Sequence, residues 1–204
     1  MAVRINREIA HYAIIIFLVT FAARATNNMI GTTAPLLAKY DLLFPPNYLV
    51  GFLASAVTAV NLASIVFVNT RLPGQTRRLL FIISNALILA LLPTYFLANS
   101  FNIWVISILT GFAYGIIMPN ILTSASIVGD QFTAERILVL YTLALSTSLV
   151  AGPLLETYLL TRLGYRYVFL LFIPLALISF ALSFKIRFPP DPQGEEKHQR
   201  WACG

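Results

Sequence analysis

Apolar residues along this chain come in six long runs, near residues 9–38, 47–69, 77–98, 102–128, 134–161 and 166–187. A run of roughly 20 apolar residues crosses a hydrocarbon core of about 30 Å as a helix. Runs such as Leu79–Leu92 are apolar on all sides, the pattern of a helix set in lipid rather than one with a wet face. Barrel strands would alternate apolar and polar residues over about 10 positions, and no such alternation is present. Turn residues separate the runs: Phe44-Pro45-Pro46-Asn47, Leu72-Pro73-Gly74 and the polar hinge Ala98-Asn99-Ser100. Pro189-Pro190-Asp191-Pro192 ends the last run, and a polar tail follows. The expected architecture is an all-α membrane protein with a six-helix transmembrane domain over residues 1–188. Residues 189–204 form a polar cytoplasmic tail or the start of an inter-domain linker.

Composition sharpens the picture. The 204 residues are 58% hydrophobic and 11% charged, with a mean hydropathy of +0.80; soluble domains carry about 25% charged residues. The first run continues past Thr20 to about Ala38 with no convincing cleavage site, so a removable signal is not expected. The single cysteine, Cys203, implies neither a disulfide framework nor a cysteine metal site. A net charge of +6 is explained by position rather than by nucleic acid, because Lys and Arg gather in cytoplasmic loops. With the N-terminus inside, Arg4, Arg7, Arg71, Arg77, Arg78, Arg136, Lys185, Arg187, Lys197 and Arg200 fall inside, and Lys39, Arg162 and Arg166 fall outside. This bias puts both termini in the cytoplasm, in a multi-pass protein of the cell membrane.

The outside pair Arg162 and Arg166 leads to an internal repeat. Thr70-Arg71-Leu72-Pro73-Gly74, with Arg77 and Arg78, follows the second run; Thr161-Arg162-Leu163-Gly164-Tyr165-Arg166 follows the fifth. Gly31…Pro35 in the first run matches Gly115…Pro119 in the fourth. Residues 1–99 and 100–188 thus read as two three-helix units. Three is odd, so the second unit is inverted in the bilayer, an arrangement found in secondary transporters. Two short matches in apolar sequence also arise by chance.

Gly129-Asp130-Gln131-Phe132-Thr133-Ala134-Glu135-Arg136 resembles the loop between helices four and five of major facilitator superfamily transporters. Ala151-Gly152-Pro153-Leu154-Leu155 and the stretch Tyr158–Phe169 resemble that family's helix five, outer loop and helix six. The resemblance covers residues 9–188 and implies the N-terminal six-helix half of that fold, built as two inverted three-helix repeats. It implies a cytoplasmic gate at Arg71, Gly74, Arg77 and Arg78, although Asn69-Thr70 stand where the family has an acid. The family's helix-four arginine would fall near Ser107, and Glu156-Thr157 replace a glycine pair of its antiporter-associated motif. A second six-helix half is expected as partner, either in a longer chain or as a second copy in a homodimer.

Arg24 stands near the middle of the first run, where a charge costs roughly 2.5–3.5 kcal/mol on insertion scales. It shares a helical face with Asn27, Asn28 and Gly31. That face is expected to line a transport path, with Arg24 attracting an anionic group or orienting a proton-carrying acid. The alternative is a structural arginine bonded to neighbouring helices. Glu156 is the one acid deep inside a run, Glu135 standing only at the start of the fifth. A carboxyl withdrawn from water can take up and release a proton, which makes Glu156 a candidate coupling residue; an outer ion pair with Arg162 or Arg166 is the plainer reading. In the resembled family helices one, two, four and five line the cavity, which adds Asn61, Asn120 and Tyr141 as candidate contacts; interhelical hydrogen bonding accounts for them equally well. Gly111…Gly115 suits close helix packing, and Pro93, Pro119, Pro153 and Pro174 suit bends.

No nucleotide loop, metal spacing or hydrolase motif is present in the sequence, so neither an enzyme nor a cofactor is expected. The expected function is secondary active transport of a small solute by alternating access, driven by a proton or solute gradient, with the bilayer, a solute and a second half as partners and no nucleic acid. Two alternatives stand beside it: a non-catalytic solute-binding subunit served by an energising partner, and an inactive truncated fragment.

Overall fold

A computed structural model describes residues 7–43, 47–71 and 73–188. The expected turn at Phe44–Pro46, the terminator at Pro189–Pro192 and the polar tail lie outside the described residues. Within them all regular structure is helical: α1 (Arg7–Tyr40), α2 (Asn47–Ala63), α3 (Gly74–Phe96), α4 (Asn102–Ser126), α5 (Gln131–Leu163), α6 (Tyr165–Leu171) and α7 (Ile173–Ser183). They make six apolar spans long enough to cross a bilayer, the sixth formed by α6 and α7 together.

Two helices depart from the regular spans expected. α2 widens into a π segment over Ser64–Val68, with the Asn69 N–H reaching back to the Ser64 carbonyl, and then tightens into a 3-10 turn over Asn69–Arg71. The sixth span breaks at Phe172. Pro174 sits in the first turn of α7 and has no N–H to continue the ladder from α6. Pro35, Pro93, Pro119 and Pro153 lie inside unbroken helices.

Burial sorts the helices. Over the most apolar window of each span, 56% of residues are buried in α1 and 61% in α4, against 11% in the second span and 22% in α5. α1 and α4 therefore hold the centre: α1 packs against α5 and α7, α4 against α2 and α3. Ile16, Val19, Met29 and Leu37 of α1 meet a core that includes Phe81, Leu92, Tyr114, Ile121, Phe169 and Phe172. Lipid tails are as apolar as leucine, so helix association here rests on close packing and hydrogen bonds rather than on escape from water. Small residues supply the first: Gly152 lies against Ala25, and Gly111 and Gly115 lie against the backbone of α2. Buried pairs supply the second. Ser179 donates to Asn85 across α7 and α3 at 2.7 Å, and Tyr12 bonds with the Ser124 hydroxyl at 2.6 Å.

The ends are capped as the loop residues dictate. The Asn99 side chain accepts from the Phe101 and Asn102 amides, which opens α4. Gly129 and Gly164 take positive φ on either side of α5, where a side chain would be strained. Asp130 caps α5 by accepting from the Thr133 amide at 3.2 Å. Hydrogen bonds from the Thr133 side chain and backbone hold its carboxyl below the ordinary carboxylate range. A depressed folded value means that the cap's contribution is complete above the unfolded value, about 3.9, and is lost as pH falls through the folded one. Amide exchange at Thr133 should therefore quicken on acidification below about pH 4 in the native chain. In Asp130→Ala it should be fast already at pH 7, and Asp130→Asn should stay protected at both pH values, because asparagine also caps.

Candidate transport cavity

α1, α2, α4 and α5 enclose a cavity of about 630 Å³. Its walls come from residues 24–35 of α1, 53–61 of α2, 107–110 of α4 and 149–153 of α5, with Tyr95 at the end of α3. The lining runs from the middle of the bundle, at Arg24 and Asn61, toward the end where α1 and α3 finish and α2 and α4 begin.

The α1 wall carries its chemistry. Arg24, Asn27, Asn28 and Gly31 all line the cavity, as their shared helical face predicts, and Asn61 meets them from α2. Arg24 Nε and Asn28 Nδ2 are buried and have no hydrogen-bond partner. An unsatisfied buried donor costs about 1–3 kcal/mol, and more where it is charged. None of the described residues lining the cavity is acidic. Tyr141 does not line the cavity, yet it stands half-buried on α5 within the field of the Arg24 guanidinium.

Glu156 is placed differently from the outer ion pair expected. It is 4% exposed and faces α1, where its carboxylate accepts from the hydroxyls of Thr32 and Thr33, the latter at 2.6 Å. Gly152, one turn earlier on the same face of α5, already packs on Ala25, which turns Glu156 inward. The arginines find other partners. Arg166 pairs with Asp41 and donates to the carbonyls of Phe96 and Ala98, and Arg162 lies over the Tyr158 ring. Because Thr32 lines the cavity and Glu156 does not, the carboxyl meets the cavity through one hydroxyl.

Asn120 is also not among the lining residues. It is fully buried near the opposite end of α4, where its amide donates to the Asn69 side chain at 2.7 Å. Arg77 donates to the Asn69 carbonyl at 3.1 Å, and Arg78 to the Phe184 carbonyl at 3.4 Å. Asn69 thus joins α2, α3 and α4 through its amide side chain and its backbone carbonyl, without a carboxylate, at the position where an acid was expected. Of the four predicted gate residues, Arg77 and Arg78 make these contacts; Gly74 begins α3, and Arg71 is exposed in the 3-10 turn. At the far end of the cavity, Tyr95 bonds with Ser107 and Thr110, each at 3.2 Å. Sequence reasoning did not single out Thr32, Thr58, Tyr95 or Thr110. Thr32 was within reach of it, since it lies one turn beyond Asn28 on the Arg24 face.

Among the described residues no group of three or more His, Cys, Asp or Glu side chains converges on a metal-sized space. Six apolar spans, four of which enclose a cavity that carries a guanidinium and several amides and hydroxyls, define a multi-pass helical membrane protein with an internal solute-sized site. The sequence model of the Major Facilitator Superfamily matches residues 16–202, and the chain belongs to that family of membrane transporters. No curated protein matches it.

Proposed function

We propose that the chain is a secondary active transporter, or one six-helix half of one, that moves a small solute by alternating access and draws on a proton or solute gradient. The observation that carries the reading is the cavity: about 630 Å³ of space running from the middle of the bundle toward one end, with unpartnered donors on α1, and a closed Asn69–Asn120 contact toward the other. With both termini cytoplasmic, the cavity faces outward and the asparagine contact forms the inner closure. α2 and α5, the least covered spans, are the faces that a second six-helix half would cover, whether in a longer chain or a homodimer. The two bundles, this one and the second half, would rock about the cavity, and the two three-helix units within this one are read as inverted relative to each other. The cell membrane is the proposed site of action.

Glu156 is the proposed coupling group. It is a buried carboxyl bonded to neutral hydroxyls, one of which lines the cavity, so proton gain or loss there changes the hydrogen bonding of the cavity wall. The test is uptake into proteoliposomes with a pyranine-loaded lumen, an imposed pH gradient and a panel of small carboxylates, amides and amines. Solute-dependent proton entry is the expected result. Glu156→Gln should remove the response to the gradient while solute exchange at equal pH continues. Undiminished gradient-driven uptake in that variant would remove Glu156 from the coupling role. Binding without uptake of any solute would favour a solute-binding subunit that needs an energising partner.

A further inference from the structure

We infer that the solute is an organic monoanion, its anionic head held by Arg24 and Asn28 and its apolar body lying against α2 and α5. The inference rests on the reading that the cavity is the transport site. Charge comes first. Arg24 is the one charged side chain among the described residues that line the cavity. Its charge lies in surroundings of low dielectric, where attraction to an anion is strong and a cationic solute is repelled. The nearby acid, Glu156, is engaged by Thr32 and Thr33 and lies behind the wall.

Hydrogen bonding makes the same selection. Arg24 Nε and Asn28 Nδ2 are donors four residues apart on one helix, both buried and both without an acceptor. A carboxylate brings two acceptor oxygens, and guanidinium edges bind carboxylates through paired hydrogen bonds. A neutral amide would offer one acceptor and leave the charge uncompensated. A dianion would bring a second charge with no cation to meet it.

Shape supplies the rest. A volume of about 630 Å³ falls within the 300–1,000 Å³ typical of small-molecule sites. Leu53, Ala54 and Val57 on α2 and Leu149 and Pro153 on α5 give the cavity an apolar surface, with Thr58 and Asn61 of α2 as its polar members. A bare inorganic anion would leave that surface against water, whereas an organic anion covers it.

The test measures binding to the purified full chain in detergent, by thermal shift and by calorimetry. The probes are benzoate, cyclohexanecarboxylate and hexanoate, the corresponding amides and amines, phthalate and inorganic phosphate. At least one monocarboxylate should bind, with its amide about 30-fold weaker or worse and its amine absent. Asn28→Asp places a competing carboxylate beside Arg24; it should weaken carboxylate binding about 30-fold while melting no lower than the native chain. Arg24→Gln should weaken it similarly and carries the test alone if Asn28→Asp does not fold. Binding confined to amides or amines, phosphate or phthalate binding as tightly as any monocarboxylate, no carboxylate binding, or full affinity in a folded Arg24→Gln chain would each overturn the assignment. The two readings fail separately: uptake of a neutral solute keeps transport and ends the monoanion, whereas carboxylate binding without uptake keeps the monoanion and ends transport.

Discussion

Replacing Arg24 with glutamine is expected to lower proteoliposome uptake about 100-fold, equivalent to about 2.7 kcal/mol of barrier, and to leave the protein at least as stable as before. The two effects have one cause. Arg24 sits in the middle of a 34-residue helix with its Nε buried and unpartnered. A guanidinium at that depth costs roughly 2.5–3.5 kcal/mol on insertion scales, and hydrogen bonds to charged groups return about 1.5–3 kcal/mol only once an acceptor arrives. The empty protein bears the cost and the loaded protein recovers it. Glutamine keeps a donor and removes the charge, so the melting temperature should hold or rise as uptake falls. A structural arginine predicts the reverse, with lower stability and retained uptake. Uptake and melting measured on the same preparation separate the two roles, and near-native uptake in a stable Arg24→Gln chain would exclude Arg24 from the transport path.

The cavity face on α1 was legible in the sequence for the same physical reason. A cation inside an apolar run has few tolerable surroundings, and Asn27, Asn28 and Gly31 follow at helical spacing, so one face had to be polar and inward. Contacts between helices distant in the chain were not legible in this way. The donors expected to explain Glu156 were sought among its chain neighbours Arg162 and Arg166, whereas its partners lie 123 and 124 residues away on α1. Asn120 and Asn61 look alike as single polar residues in apolar helices, yet one closes against Asn69 and the other lines the cavity. Only the rotation and depth of α4 against α2 separate them, and composition does not encode either. The π segment was hidden as well. Ser-Ile-Val-Phe-Val reads as ordinary apolar helix, and nothing in it announces that Ser64, its first residue, lies against Gly115 of α4. Pro174 did mark a real break, but Pro93, Pro119 and Pro153 lie in continuous helices, because neighbouring helices and hydroxyls can satisfy the backbone that a proline frees.

That crossing of α4 on α2 carries the largest expected effect on stability. An ideal Cβ on Gly115 would lie 2.5 Å from the Asn61 carbonyl oxygen and 2.6 Å from Ser64 Cβ. One on Gly111 would lie 2.5 Å from the Val57 carbonyl oxygen. None of these three atoms can rotate away as a side-chain tip would, since two are backbone and the third is a Cβ fixed to it, and the only relief is to move the helices apart. Gly111→Ala and Gly115→Ala should each cost about 2 kcal/mol, within the range for overpacked cores, and the double variant less than the sum, because one displacement relieves both contacts. Gly51→Ala provides the contrast. It lies in α2 with no atom within 4 Å of the added carbon, and alanine favours a helix over glycine by about 0.8–1.0 kcal/mol, so that variant should melt at or above the native temperature. Thermal unfolding in detergent should therefore show opposite signs for one chemical change at three glycines. A functional consequence follows from position. Asn120 lies five residues beyond Gly115 and bonds to Asn69 just past the π segment, so a helix pair forced apart at Gly115 also strains the inner closure. Gly115→Ala should then show leak of solute through proteoliposomes at equal pH as well as a lower melting point. A tight Gly115→Ala protein with native melting would mean that α2 and α4 do not approach at these glycines in the membrane.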